Sequence, residues 1–175
     1  MEKQNGTMTR KKLLTRMANA YYELLTVVVP LLQKNSDIED GIREGLNKFL
    51  SNLCISLVGK QETDYYSEAA IEKLEHGDSK HLIYEHIVPK HVCQKKIIAD
   101  FKAGKIKNAG DIKAVLEKYW YIATITSSED DQLKPRKSMP KDWDKQDIFV
   151  RYAGIKKRLK TRAECRRADF PVKKR

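Results

Sequence analysis

Glu85 and His86 stand side by side near the end of an apolar, β-branched run, Leu82-Ile-Tyr-Glu-His-Ile-Val88. Farther along, Glu129, Asp130 and Asp131 come after a second such run, Tyr119-Trp-Tyr-Ile-Ala-Thr-Ile-Thr126. A neutral imidazole can take a proton from water, because its ordinary pKa lies close to neutrality. Carboxylates suit a hard cation, which neutralises the charge that gathers on a phosphate and its leaving oxygen. Together these are parts needed for phosphodiester hydrolysis. If the two runs pair as strands, the acidic segment comes back over His86. A divalent cation could then sit between one of its carboxylates and Glu85, with His86 facing it. Each part also has a plainer reading. A histidine beside an apolar strand is more often structural than catalytic, and carboxylates in the first turn of any helix meet its dipole.

The elements that would position these residues can be read from spacing. Leu13, Leu14, Met17, Tyr21, Leu24 and Leu25 recur at three and four residues and predict a helix from Arg10 to about Gln33, kinked or ended by Pro30. Ser36 and Glu39 read as a capping box for a second helix, striped by Ile38, Ile42, Leu46, Phe49, Leu50 and Leu53 and stopped at Gly59. Residues 60–66 read as a polar loop and Ser67 to His76 as a short helix closed by Gly77. The run ending at Pro89 reads as a strand, 90–103 and 111–118 as helices, 119–126 as the strongest strand, and 127–133 as a helix capped by Ser127 or Ser128. The order is strand, helical insertion, strand, acidic helix.

In that order, Tyr84-Glu-His-Ile-Val-Pro-Lys90 with Ile125-Thr-Ser-Ser-Glu-Asp-Asp-Gln-Leu133 resembles a divergent HNH (ββα-metal) endonuclease of phage or bacterial type. Ser138-Met-Pro-Lys-Asp-Trp-Asp144 and Arg151-Tyr-Ala-Gly-Ile155 are similar to the segment beyond the metal helix in some small relatives, so the resemblance spans residues 80–155. It implies that His86 is the general base and that Glu85 and Asp130 bind Mg²⁺ or Mn²⁺. The chain departs from the family where Asp130 stands in place of the usual histidine. Asn108 is the sole candidate for the family's middle asparagine, the bracing CxxC pairs are absent, and the insertion between the strands is long.

Charge points to the partner. The net charge is +11, and residues 134–175 hold sixteen Lys and Arg against five Asp and Glu, so the excess lies wholly in the last quarter of the chain. A neutral body with a basic end is expected of a polyanion binder. Arg151, Lys156, Lys157, Arg158, Lys160, Arg162, Arg166 and Arg167 are the candidate phosphate ligands, with 156–162 open to a helical reading. Trp143, Tyr152 and Phe170 lie among these charges and could stack on bases or anchor the tail. Only Ile155, Leu159 and Ala163 offer an apolar stripe there, too narrow for a membrane-surface helix.

Other sites are less favoured. The histidines 76, 81, 86 and 91 recur every five residues, which fits neither a helix face nor a strand face. His86, His91 and Cys93 lack a fourth ligand for a tetrahedral metal. Three cysteines without CxxC support neither a disulfide framework nor a zinc ribbon. The longest apolar run, Leu24 to Leu32, is too short to span a bilayer, and the first residues carry no signal-peptide core, so a cytoplasmic protein is expected.

The expected fold is α+β and mainly helical: a helical scaffold at 1–78, a small ββα-metal-like unit with a helical insertion at 79–155, and a basic nucleic-acid-binding tail at 156–175. The expected function is metal-dependent hydrolysis of nucleic acid, DNA before RNA. The alternatives are a non-catalytic nucleic-acid-binding protein, an inhibitor or regulator of a nucleic-acid-handling complex, and an interaction protein acting through its N-terminal helices. Those helices could also form a homodimer.

Overall fold

Apolar residues at helical spacing dictate the first two elements of the computed structural model, which describes residues 8–34, 39–58, 63–156 and 159–165. Helix α1 (Arg10–Lys34) buries Leu14, Met17, Ala18, Tyr21, Leu25 and Val29, one stripe at three- and four-residue steps. Pro30 does not end it: the helix runs on to Lys34, the proline forgoing the one i→i−4 hydrogen bond that its missing N–H would have donated. Helix α2 (Glu39–Val58) buries Leu46, Leu50 and Cys54 four residues apart, and the Tyr21 and Phe49 rings stack at 5.9 Å. The capping box expected at Ser36 and the stop at Gly59 fall outside the described residues.

The chain divides into two units. One joins residues 1–59 to 93–118; the other joins 60–92 to 119–175. This differs from the division expected at 78 and 155. Helices α4 (Lys90–Lys102) and α5 (Ala109–Tyr119) belong, over most of their length, with the N-terminal helices. Gln94 donates to the Leu46 carbonyl at 3.2 Å, and the Tyr22 hydroxyl donates to the Lys107 carbonyl at 2.8 Å. Burial pushes the Tyr21 phenol and the Cys93 thiol above their ordinary values. Sequence order alone could not show that the insertion shares a core with residues nearly fifty positions upstream.

The other unit is built on a mixed sheet of four strands: β1 (Tyr65–Ser67), β2 (Leu82–His86), β3 (Ile122–Thr126) and β4 (Leu159–Thr161). Their order is β2-β3-β1-β4; β1 runs parallel to β3, and the other two pairings are antiparallel. The fold is therefore α+β. Strand β1 lies where a polar loop was expected. Asp64 sets it in place: its N–H donates to the Ile122 carbonyl, its carboxylate accepts from the Ile122 N–H, and its carbonyl accepts from the Arg162 N–H. Strand β4 corrects the helical reading of 156–162, since Leu159–Thr161 completes the free edge of β1. Helix α3 (Glu68–Glu75) starts at the Ser67 cap, and Gly77 then takes the left-handed conformation expected of a helix stop.

One face of the sheet carries the core of this unit, with Ile87, Ala123, Ile125, Leu133, Tyr152 and Ile155 buried and Ile83, Tyr65 and Phe149 packed against them. Tyr119 and Trp120 do not extend β3; Tyr119 closes α5, and both side chains are buried. Among the described residues, no helix is long and apolar enough to cross a membrane.

Candidate functional site

Strands β2 and β3 pair with Leu82 opposite Thr126 and His86 opposite Ile122. The acidic helix α6 (Ser127–Asp130) therefore begins beside the start of β2, with the Ser127 N–H donating to the His81 carbonyl at 2.9 Å. His86 lies four residues along the strand, about 13 Å away at the usual rise. Consecutive strand residues also point to opposite faces, so Glu85 and His86 part company.

Glu85 turns toward Arg151, whose Nη2 lies 3.0 Å from its Oε1. Burial pushes the Glu85 carboxyl up, and the Arg151 guanidinium offsets part of that rise. His86 turns the other way and meets the Trp120 ring edge-on at 4.6 Å. Its Nδ1 is shut off from solvent and has no hydrogen-bond partner. Burial, followed by the Lys90 and Arg151 charges, pulls the imidazole down to about 4. Such a group is neutral at pH 7, as a base must be, but it holds a proton too weakly to draw one from water well.

The acidic trio divides its labour. Glu129 is an N-terminal brace: its Oε2 accepts from the Thr126 N–H at 2.9 Å and from the Ser67 hydroxyl at 2.6 Å, while Thr126 Oγ accepts from the Glu129 N–H. This is a capping box. Asp130 is 6% exposed and takes Arg136 Nε at 2.9 Å, with Arg136 Nη2 on the same oxygen. Asp131 is held by Arg136 Nη1 at 2.9 Å. Glu85 and Asp130 lie close enough for each charge to act on its surroundings, for Asp130 raises the Glu85 carboxyl and both raise the buried Tyr152 phenol. The fold thus brings Glu85 and Asp130 together and leaves His86 outside the group.

Arg151 is the residue whose role sequence reasoning missed. Expected as a surface phosphate ligand, it is 2% exposed. Its Nε donates to the Pro135 carbonyl at 2.9 Å and Nη1 to the carbonyls of His86 and Ile87 at 3.1 and 3.4 Å. Nη2 donates to Glu85 and to the Arg136 carbonyl. A guanidinium has five N–H groups, and five acceptors meet them, so none remains for a phosphate. Counting charge along the chain treats every cation as exposed; no local feature marks this one as buried.

A metal between Glu85 and Asp130 does not fit this arrangement, because an arginine already holds each carboxylate. Among the described residues, no three His, Cys, Asp or Glu side chains are placed to hold one ion, which also bears on His86, His91 and Cys93. His76 and His81 line an open cleft of about 640 Å³ with Lys73, Asp78, Ser127 and Ser128. Asn108 is spent on its own turn, where its side chain accepts from the Gly110 N–H at 2.7 Å.

Of the remaining basic candidates, Lys156 is exposed and paired with Asp147 at 3.0 Å, and Lys160 is exposed and paired with Glu68 at 3.2 Å. Arg162 is exposed, whereas Lys157, Arg158, Arg166 and Arg167 lie outside the described residues, as does Phe170. Trp143 anchors its loop, donating to the Asp147 carbonyl at 2.7 Å and packing edge-on against Tyr119. Lys134, Lys137, Lys141 and Lys145 are exposed, and among the described residues no ion pair claims them. No family model, curated protein or solved structure matches the chain.

Proposed function

We propose that this protein binds nucleic acid through the basic residues beyond residue 133, without a metal ion. The observation that carries this reading is the set of four exposed lysines, Lys134, Lys137, Lys141 and Lys145, on one segment with no carboxylate partner among the described residues. Ammonium groups that no carboxylate holds are free to meet a phosphate backbone, which releases its condensed counterions on contact. Such contacts fix position and carry no sequence information, so the reading implies binding with little base preference.

The test is fluorescence anisotropy on duplex DNA, single-stranded DNA and RNA over a range of salt. Binding should weaken steeply with salt, and the Lys134, Lys137, Lys141, Lys145→Gln variant should lower the log–log slope by about 3 to 4. Binding that ignores salt, or a variant with the wild-type slope, defeats the reading.

A metal-dependent endonuclease is the second reading. It is supported by the antiparallel pairing of β2 with β3, by the helix directly after β3, and by the placing of Glu85 and Asp130 in one cluster. It requires the arginines to yield those carboxylates. Cutting of plasmid DNA that depends on Mg²⁺ or Mn²⁺, stops with EDTA and is lost in His86→Ala would put this reading first.

A further inference from the structure

Asp147 holds two aromatic rings and one cation in place. Its carbonyl accepts from Trp143 Nε1 at 2.7 Å, its Oδ1 accepts from the Phe149 N–H at 2.8 Å, and its Oδ2 pairs with Lys156 at 3.0 Å. Tyr119 meets Trp143 edge-on at 5.8 Å, and Tyr65 meets Phe149 edge-on at 5.2 Å. Both Trp143 and Phe149 are nonetheless partly exposed. The Lys156 ammonium lies over the Phe149 ring, 5.4 Å from its centre, so Trp143 is the more open of the two. We propose that Trp143 is a stacking surface for an unpaired base, so that the nucleic acid this protein takes is single-stranded. This assignment rests on the nucleic-acid reading above and names its ligand class.

Three observations support it. The indole is held before any ligand arrives: its one N–H is spent on Asp147 and its edge-on neighbour fixes its tilt, so little rotamer freedom is left to lose on binding. One edge-on neighbour covers at most one face of a ring, and Trp143 keeps part of its surface in solvent. The charges around it are also sorted. Lys141 and Lys145, two positions to either side, are exposed and held by no carboxylate among the described residues, whereas Asp142 and Asp144 stand directly beside the ring. Those carboxylates repel a phosphate placed over the indole, while the lysines attract the phosphates one step away. A strand that satisfies both sets its backbone on the lysines and a base on the ring. A duplex cannot do this, because its bases are already stacked on one another and offer only their edges.

The experiment titrates the full chain with a labelled thymidine strand, a labelled single-stranded RNA and a labelled duplex of the same length, read by anisotropy over a range of salt. Tryptophan emission is followed in parallel with the unlabelled strands. Trp120 is 1% exposed, so a change in emission reports Trp143. The wild type should bind both single strands about fivefold or more tightly than the duplex, and only the single strands should quench its emission. Trp143→Leu should lower single-strand affinity about tenfold and erase most of the preference, whereas Trp143→Phe, which keeps a ring face, should retain it. Salt-sensitive binding that is equal for single strands and duplex overturns the stacking assignment and leaves the nucleic-acid reading standing. Absence of salt-sensitive binding to all three overturns both. A preference that survives in folded Trp143→Leu also overturns the assignment. So does single-strand binding that leaves the wild-type emission unchanged, even if Trp143→Leu fails to fold.

Discussion

The helical unit and the sheet unit bury polar groups in different ways. The helical unit encloses neutral ones: the Tyr21 phenol, the Cys93 thiol and the Gln94 amide. The sheet unit encloses charges: Glu129, Asp130 and Arg151. A neutral buried group costs little once it has one hydrogen-bond partner, whereas a buried charge must be met on every side. The helical unit therefore depends on shape, and the sheet unit on a polar network in which each member supports the others. Chemistry belongs with the second kind of interior, because only there are charges held at fixed positions.

Paired substitutions break this comparison most strongly. Arg151→Met should destabilise the sheet unit by about 3–5 kcal/mol, since it strands Glu85 and four carbonyls. Leu50→Ala should cost the helical unit about 2–5 kcal/mol through the cavity it leaves. Both tryptophans, Trp120 and Trp143, lie in the sheet unit, so urea melts read by tryptophan fluorescence report that unit while circular dichroism reports mainly the helices. Arg151→Met should move the fluorescence curve more than the dichroism curve, and Leu50→Ala the reverse. Coincident shifts for both variants would show the two interiors to be one cooperative structure.

A smaller effect sharpens the contrast through pH. The folded-state value of His86, about 4, lies below the 6.5 of an unfolded chain, so the unfolded state takes up the proton first. The stability tied to this ring is complete above pH 6.5 and is lost as pH falls from there toward 4. His86 as a residue is only partly buried, so the loss should be about 1–2 kcal/mol rather than the full value of the shift. His86→Phe preserves the packing on Trp120 and removes the proton site. The stability difference between wild type and variant should therefore change across this window; a constant difference would mean the imidazole is not excluded from solvent.

The smallest effect is a control. Lys113 and Glu117 pair one turn apart on the partly exposed face of α5. Lys113→Gln should change stability by less than about 0.5 kcal/mol, because water screens such a pair. A larger loss would mean that the helical unit also relies on charge.

The sequence by itself determined the helices and the two principal strands, because helical stripes such as Leu14, Met17, Tyr21 and Leu25 and the β-branched run Ile122–Thr126 are local patterns that any packing must respect. It also marked a helix start just after the second strand, expected at Ser127 or Ser128; the structure sets the cap one residue earlier, at Thr126, whose capping box with Glu129 opens a helix that ends at Asp130 rather than Leu133. Only the tertiary structure decided what those elements hold. Tyr65–Ser67 and Leu159–Thr161 are too short to declare themselves as strands; β1 is a strand because β3 and β4 supply its hydrogen bonds, and β4 because β1 supplies its own. The pairing of β2 with β3 decided that Glu85 and His86 face different surroundings, and that Asp130 joins Glu85 alone. Arg151 looks like any other cation in a basic stretch, yet it is the buried centre of a network spanning more than sixty residues. Secondary structure arises from neighbours in the chain, but the state of a charge depends on which distant groups surround it.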